Sequence, residues 1–185
     1  KNGLRDRTVL QLADELRPGD RLGLNNTKVI PARLSGKRFR LSEQGDSTAK
    51  IEVTLLSPAH SGGWQALAKP MKRLKRGEEV VFSSDFKAQV AEIAAGQIRL
   101  VFNLKGKEFD NALQACGAMP LPPYIAALRP VDQQDDTDYQ SVFAKISGAM
   151  AAPTASLHFD TALLDRLQEN DVTISYVTLH VGAGT

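Results

Sequence analysis

The sequence predicts a mixed, α+β fold: an α/β main domain with an inserted small antiparallel β-barrel. Strand-like runs separated by Gly- and Ser-rich turns fill residues 32–103, and helix-like and strand-like runs alternate outside that region. Apolar residues make up 42% of the 185 residues, which is enough for a sizeable core. We expect residues 1–33 and 117–185 to form the α/β main domain and residues 34–116 to form the inserted barrel domain.

The first elements of the main domain are a helix and a strand. Residues 8–16, "TVLQLADEL", carry Leu10, Ala13 and Leu16 at helical spacing, with Thr8 as a possible N-cap. A turn, "RPGD", follows at 17–20, and a short strand then runs into an asparagine pair.

The barrel region contains short runs of alternating apolar and polar residues, which is the pattern of half-buried strands. The loops between them are rich in Gly, Ser and Pro, so the runs are expected to pair as antiparallel neighbours. The runs are "ARLSGKRFRL", "KIEVTLLS", "WQALAKP", "EEVVFSS", "FKAQVAEI" and "QIRLVFN".

The chain after the barrel returns to mixed elements. "KEFDNALQACG" at 107–117 reads as a helix that Gly117 ends, and three prolines give "MPLPPYI" at 119–125 an extended path. "DTALLDRLQEN" at 160–170 is an amphipathic helix, and "VTISYVTLHV" at 172–181 is a strand. For that helix we predict Asp160 as N-cap and an inner face of Leu163, Leu164 and Leu167.

One stretch fits neither kind of element well. Residues 148–159, "GAMAAPTASLHF", bury little apolar area per residue, and Pro153 interrupts a helix there. A segment with such small side chains is suited to lying close against another group.

Composition narrows the class of protein. The formal net charge is +2, and the single cysteine, Cys116, excludes an internal disulfide and a cysteine-based metal cluster. No run reaches membrane-spanning length and no secretory signal opens the chain. The single cysteine fits a reducing cytoplasm, where we expect the protein, although a secreted protein without disulfides would look the same. Both ends look cut, and we expect a piece of something longer. A basic cluster, Lys69, Lys72, Arg73, Lys75 and Arg76, reads either as a solvated loop or as a phosphate-binding surface.

Several polar residues are candidates for a site, and each also has a structural interpretation. Asn25 and Asn26 suit the edge of a base or ribose, or an Asx-turn, while Arg33 suits a phosphate or carboxylate, or a plain surface position. Tyr124 suits base stacking, or a linker packed across two domains.

The histidines near the end of the chain are candidates for acid–base chemistry. His158 and His180 suit proton transfer near neutral pH, although a lone histidine is as readily a core residue bonded to a carbonyl. Gly182 and Gly184 follow a strand and permit close approach of a ligand, but they do not complete a dinucleotide fingerprint. Without a nearby pattern of Asp, Glu or Cys, these histidines define no metal site.

Four longer motifs resemble one family. "NNTKVIPARL", "MPLPPYI", "YQSVFAKISGAMAAPTASLHF" and "VTLHVGAGT" stand in the order and spacing of the S-adenosylmethionine:tRNA ribosyltransferase-isomerases of queuosine biosynthesis. The likeness runs from about residue 8 to the end of the chain. Two positions depart from the family pattern: Met150 replaces a usual Val, and Ser156 replaces a usual Gly.

The resemblance implies a reaction and its participants. It implies transfer and isomerisation of the ribosyl group of S-adenosylmethionine, consumed as a substrate without a metal, onto an aminomethyl-deazaguanine at the wobble position of tRNA. Adenine and methionine leave, and epoxyqueuosine remains. His158 and His180 are then the expected base and acid, and the basic cluster is expected to meet tRNA phosphates. The expected substrate contacts are Asn25, Asn26, Arg33, Tyr124, Pro153, Thr154, Gly182 and Gly184. A monomer is expected, and the 185 residues are expected to be inactive alone.

Two other functions remain open at this point. The barrel suits a non-enzymatic RNA-binding module, with the other residues as scaffold. Alternatively, His158 with a carboxylate such as Asp160 suits a hydrolase.

Overall fold

A computed structural model describes residues 3–41, 46–132 and 134–182. Its contacts divide the chain into two compact units, residues 1–29 with 132–181 and residues 30–131 with 182–185. The strands are β1 (Arg21–Asn25), β2 (Thr27–Val29), β3 (Arg33–Arg40), β4 (Ser47–Pro58), β5 (Trp64–Lys69), β6 (Glu79–Val81), β7 (Lys87–Ala94), β8 (Gln97–Phe102), β9 (Gly117–Ala118), β10 (Ile146–Ala149) and β11 (Thr173–Val177). The α-helices are α1 (Leu12–Glu15), α2 (Gly106–Cys116), α3 (Pro123–Ala126), α4 (Asp135–Asp138) and α5 (Thr161–Glu169). Short 3-10 helices cover Val9–Gln11, Met71–Arg73 and Thr154–His158.

The second unit is built on a closed antiparallel barrel. Its strands follow the order β4-β5-β8-β7-β6-β3, and β3 also pairs with β4, which completes the ring. Because closure leaves no free edge inside the ring, every strand is paired on both sides. The predicted mixed α+β class with an antiparallel barrel is confirmed, and each strand-like run of the sequence contains one barrel strand. The domain boundaries at 34 and 116 stay a prediction.

The barrel interior is filled by alternate residues of its strands. Leu34, Ile51, Leu55 and Leu100 are almost wholly buried. Each such side chain contributes about 1.5–3 kcal/mol relative to an exposed position. Phe86 lies among aromatic neighbours, with ring centroids 5.1–5.8 Å away.

Gly117 ends α2, as predicted, but not as a left-handed cap. Its φ is −87°, which any residue adopts. A Cβ there would lie 2.1 Å from the carbonyl oxygen of Pro31 and 2.6 Å from that of Leu113, so the backbones approach too closely for a side chain. The glycine is therefore needed for space.

The first unit packs α1 against α5. Ala13, Leu163, Leu167 and Val172 form its buried cluster, and the Asp160 carboxylate caps α5 by accepting a hydrogen bond from the Leu163 N–H at 2.7 Å. The predicted cap is confirmed.

Other local predictions need correction. The predicted helix at 8–16 is a 3-10 turn followed by the single α turn of α1, and Leu10 is exposed. The segment 148–159 begins in β10 and contains a 3-10 helix after Pro153. "MPLPPYI" turns into α3 at its end, and the predicted last strand stops at Val177.

Candidate functional site

Asn26 lies at the junction of two short parallel sheets in the first unit. β1 pairs with β11, and β2 pairs with β10. The Asn26 N–H donates to the Val177 carbonyl at 2.9 Å, and the Asn26 carbonyl accepts from Lys145 and Ile146 at 2.8 and 3.2 Å. The backbone of this residue therefore joins the ends of both sheets.

The side chains of residues 25–27 hold the chain that follows β11. Asn25 donates through Nδ2 to the Leu179 carbonyl at 2.8 Å and accepts through Oδ1 from the Leu179 N–H at 3.0 Å. Asn26 Oδ1 accepts from the Thr178 hydroxyl at 2.7 Å. The two carboxamides thus fix residues 178–180 in place, which is a structural task.

Residue 27 completes this contact and reaches an imidazole. Thr27 is 1% exposed, and its Oγ1 lies 2.8 Å from Nδ1 of His180. A hydrogen bond at Nδ1 sets the orientation of the ring and biases which nitrogen carries the proton. Nε2 makes no hydrogen bond to any residue in the described ranges, so it is the nitrogen available for proton transfer.

Gly148 supplies the surface beneath that ring. A Cβ on Gly148 would lie 2.7–2.9 Å from Cε1, Nε2 and Nδ1 of His180, and its φ of +149° also disfavours other residues. The neighbouring Met150 N–H donates to the Val181 carbonyl at 2.8 Å. The lean backbone of "GAMAA" therefore lies against an imidazole of the same unit. We define Thr27, Gly148 and His180 as the imidazole cluster.

The other predicted site residues of the segment 148–159 follow Gly148 in the sequence. Pro153 is half-buried and precedes the 3-10 helix, Thr154 is exposed, and His158 is exposed at the end of that helix. Ser156 is buried but is not among the residues with positive φ, so its replacement of glycine requires no left-handed backbone. No hydrogen bond joins the side chain of His158 to the residues that the structure describes.

Arg33 and Tyr124 belong to the second unit. Arg33 begins β3 and lines a cavity of about 460 Å³ together with Glu52 and Arg129. Its guanidinium lies 4.0 Å from the Glu52 carboxylate, a loose pair that leaves it able to accept another anion. Tyr124 is 70% exposed in α3. Gly182 is exposed, and Gly184 lies outside the described residues.

The predicted phosphate-binding residues form one exposed segment, residues 69–76, called the basic loop below. Lys69 ends β5, and the buried side chain of Leu74 anchors the loop to the barrel. None of the cations forms an ion pair with a residue of the described ranges, so their charges are uncompensated. They are Lys69, Lys72, Arg73, Lys75 and Arg76.

Glu78 fixes the end of the basic loop. Its carboxylate accepts from the Lys75 N–H at 2.7 Å and from Arg40 Nη2 at 2.6 Å. Burial raises the pKa of Glu78, but the hydrogen bonds from Arg40 and Lys75, with the charges of Arg40 and Arg38, outweigh it and hold that pKa below 4.5. The loop is therefore pinned by an ionised carboxylate.

Comparison with known proteins identifies the family. A family profile described as "Queuosine biosynthesis protein" matches residues 1–185. The chain belongs to this family. Two relatives named S-adenosylmethionine:tRNA ribosyltransferase-isomerase, from Dinoroseobacter shibae and Ruegeria pomeroyi, are 64% and 60% identical over 98% and 100% of the chain. These matches cover 51% and 53% of the relatives, so the chain spans about half the length of the curated relatives it matches.

A solved structure also matches this member of the queuosine biosynthesis protein family. The S-adenosylmethionine tRNA ribosyltransferase of Thermotoga maritima is 25% identical, with 93% of this chain and 44% of that one covered. The TM-score is 0.37, a superposition too loose to carry an argument.

The structure of this member of the queuosine biosynthesis protein family brings some of the predicted site residues together and leaves others apart. Asn25, Asn26 and His180 share one network, whereas His158 has no hydrogen bond to it. Thr27 and Gly148 were missed by sequence reasoning, although both lie inside quoted motifs. The sequence signal for both was position: Thr27 directly follows Asn26, and Gly148 is the first residue of the segment 148–159.

No helix of the described ranges is both long and apolar enough to span a bilayer. The same ranges hold no group of three or more His, Cys, Asp or Glu side chains arranged to bind a metal ion.

Proposed function

We propose that the protein containing this chain is an S-adenosylmethionine:tRNA ribosyltransferase-isomerase. It transfers and isomerises the ribosyl group of S-adenosylmethionine onto an aminomethyl-deazaguanine at the tRNA wobble position. Adenine and methionine are released, and epoxyqueuosine remains on the tRNA. The names of relatives at 60–64% identity support this assignment. S-adenosylmethionine is the only small-molecule requirement that we propose, and a cytoplasmic monomer is the form we assign.

The chemistry requires proton transfer at three places. The exocyclic amine loses a proton as its nitrogen bonds to the ribosyl group, and methionine leaves with the electron pair of its carbon–sulfur bond. The positive sulfonium acidifies the adjacent ribose carbon, so a base takes that proton while the electron pair stays on carbon. Adenine leaves with the electron pair of its bond to the sugar, and an acid protonates it as it leaves. Two imidazoles meet the last two of these needs near neutral pH. We assign the base to His158 and the acid to His180.

The observation that best supports the proposal is the geometry of His180. Nδ1 is held 2.8 Å from the Thr27 hydroxyl, and the ring rests on the side-chain-free face of Gly148. A proton-transfer group works best when its ring cannot swing away, and this arrangement fixes the ring while leaving Nε2 accessible.

The test is a histidine series in the protein extended to the length of its relatives. His180→Asn is expected to lower adenine release in the presence of the modified tRNA by about 10²–10⁴-fold, the usual contribution of a general acid or base. His60→Asn is the matched control, because His60 lies in the exposed β4–β5 hairpin. Unchanged turnover of His180→Asn would remove this residue from the mechanism, and unchanged turnover of His158→Ala would remove the other.

For tRNA binding we propose the basic loop. Its uncompensated cations would release counterions from the phosphates, so affinity should fall as salt rises. Reversing the charges of Lys72 and Arg73 should weaken tRNA binding and flatten the salt dependence. Equal binding by that variant would refute this role of the loop.

The hydrolase alternative is disfavoured by one contact. Asp160, the carboxylate next to His158 in sequence, is engaged in capping α5 at 2.7 Å. An RNA-binding module without catalysis is separated by calorimetry, since it would bind tRNA and give no heat with S-adenosylmethionine.

A further inference from the structure

A second groove lies on the outer face of the barrel, on β3, β4 and the end of β6. Its volume is about 470 Å³, within the range of sites for small ligands. Ser35, Lys37 and Phe39 line it from β3, and Lys50 and Glu52 line it from β4, so the groove holds one carboxylate beside its two ammonium groups. Alternate residues of a strand share a face, so these side chains belong to the same surface.

Phe39 is an aromatic side chain that the barrel does not bury. It is 56% exposed, whereas every other phenylalanine of the chain is buried or half-buried. The others pack among themselves: Phe82, Phe86 and Phe102 stack at 5.1–5.9 Å. The ring of Phe39 therefore presents a flat apolar face to solvent.

Two lysines stand directly opposite each other beside this ring. Lys37 of β3 pairs in register with Lys50 of β4, and both are exposed. Like charges in opposite positions of an antiparallel pair destabilise the sheet. Neither lysine forms an ion pair within the part of the chain that the structure describes. The pair is thus a local cost to stability that an anionic ligand would relieve.

We propose that this groove binds an unpaired nucleotide of an RNA. The base stacks on Phe39, and the flanking phosphates lie between Lys37 and Lys50. Lys37 and Phe39 are two residues apart along β3, about 6.6 Å, so one nucleotide spans the distance from the ring to the lysine pair. Stacking is indifferent to base identity, since every base has a π-face. The identity of the RNA as tRNA rests on the proposed function. The groove adjoins the basic loop, because Lys69 pairs in register with Glu52, which lines the groove.

The combination of an exposed aromatic ring and two lysines indicates the class of ligand. A polyanion alone would account for the lysines but not for the exposed ring beside them. An apolar partner alone would leave two like charges facing each other beside it. A nucleotide satisfies both, and base–aromatic stacking with backbone contacts is the usual recognition of single strands.

The test measures binding of a fluorescein-labelled 12-nucleotide oligouridine to the 185-residue chain by anisotropy. Phe39→Ala should weaken binding about 5- to 150-fold, and Phe39→Trp should retain it. Lys37→Gln with Lys50→Gln should reduce the salt slope by about 1.4, from 0.7 per phosphate on single strands. The matched control is Lys105→Gln with Lys107→Gln, two exposed lysines of the same unit at the start of α2. A 12-base-pair RNA duplex should bind the wild type and Phe39→Ala equally, because its bases are already stacked.

A second readout does not depend on comparing stabilities. Oligouridine should quench the fluorescence of the indole introduced by Phe39→Trp. The wild type provides the background, because its one tryptophan, Trp64, stacks on Phe109 at 5.8 Å.

The outcomes distinguish this inference from the proposed function. If the wild type binds RNA and the Phe39 and lysine variants bind equally well, the groove is not the site, and the proposed function stands. If the wild type binds neither oligouridine nor tRNA, the tRNA partnership fails as well. Displacement of oligouridine by polyglutamate, together with an unaffected Phe39→Ala, would identify a protein-docking surface instead and overturn the inference.

Discussion

The hydrogen bond between Thr27 and His180 yields the sharpest prediction. Thr27→Val keeps nearly the same shape and removes the hydroxyl that lies 2.8 Å from Nδ1. A net hydrogen bond contributes about 0.5–1.5 kcal/mol, so its loss should change the ratio of the two neutral imidazole tautomers by about 2- to 13-fold. The tautomer ratio of the His180 ring should therefore differ by this factor between the wild type and the variant.

The same substitution should have only a limited effect on the free energy of unfolding. Thr27 is 1% exposed, but valine leaves no unpaired polar atom there, and the exposed His180 ring can bind water instead. The free energy of unfolding should therefore fall by no more than about 1.5 kcal/mol. Thr27→Ser keeps the hydroxyl and should preserve the tautomer ratio, which separates the hydrogen bond from packing.

The assay is nuclear magnetic resonance of the imidazole nitrogens over a pH titration. The chain has three histidines, so the signals can be assigned by removing one at a time, and His60 is an internal reference in an exposed hairpin. If the tautomer ratio of His180 is identical in wild type and Thr27→Val, the hydroxyl does not orient the ring, and the reasoning behind the imidazole cluster fails.

Two further predictions concern the second unit. Gly117→Ala should lower the free energy of unfolding by about 3 kcal/mol or more, because its Cβ would lie 2.1 Å from the Pro31 carbonyl oxygen. Chemical denaturation measures this, and Gly23→Ala, which meets nothing within 4 Å, should change it by less than about 0.5 kcal/mol; equal effects would contradict the account. Glu78→Gln should cost about 1.5–3 kcal/mol at pH 7. Because the folded pKa of Glu78 is lowered, its contribution is complete above 4.5 and is lost as the pH falls through the folded pKa, so the two denaturation curves should converge in acid; a difference that stays constant with pH would show that ionisation is irrelevant.

Much of the fold was predictable because its signals are local. Alternation of apolar and polar residues with Gly- and Ser-rich turns located all the barrel strands, and Asp160 before an amphipathic run identified the cap of α5. The helix at 8–16 was predicted too long, because three apolar residues at helical spacing do not reveal that only Ala13 finds a buried position.

The candidate site was predictable only in part. The motif "NNTKVIPARL" pointed to Asn25 and Asn26 as substrate contacts, yet in the structure their side chains bind residues 178 and 179. Thr27, the first residue of β2, is the residue that reaches His180. Sequence spacing does not predict these contacts, because the partners lie about 150 positions apart and hydrogen bonds at that separation depend on strand pairing.

The sequence by itself determined the class of fold, the barrel strands and the family, because each is written in patterns of neighbouring residues. Only the tertiary structure decided that Gly117 is required for space, that Gly148 lies under an imidazole, and that Lys37 faces Lys50 beside an exposed ring. Those facts depend on which backbones approach each other and in what register. Register is set by the packing of whole strands, which no short stretch of sequence contains.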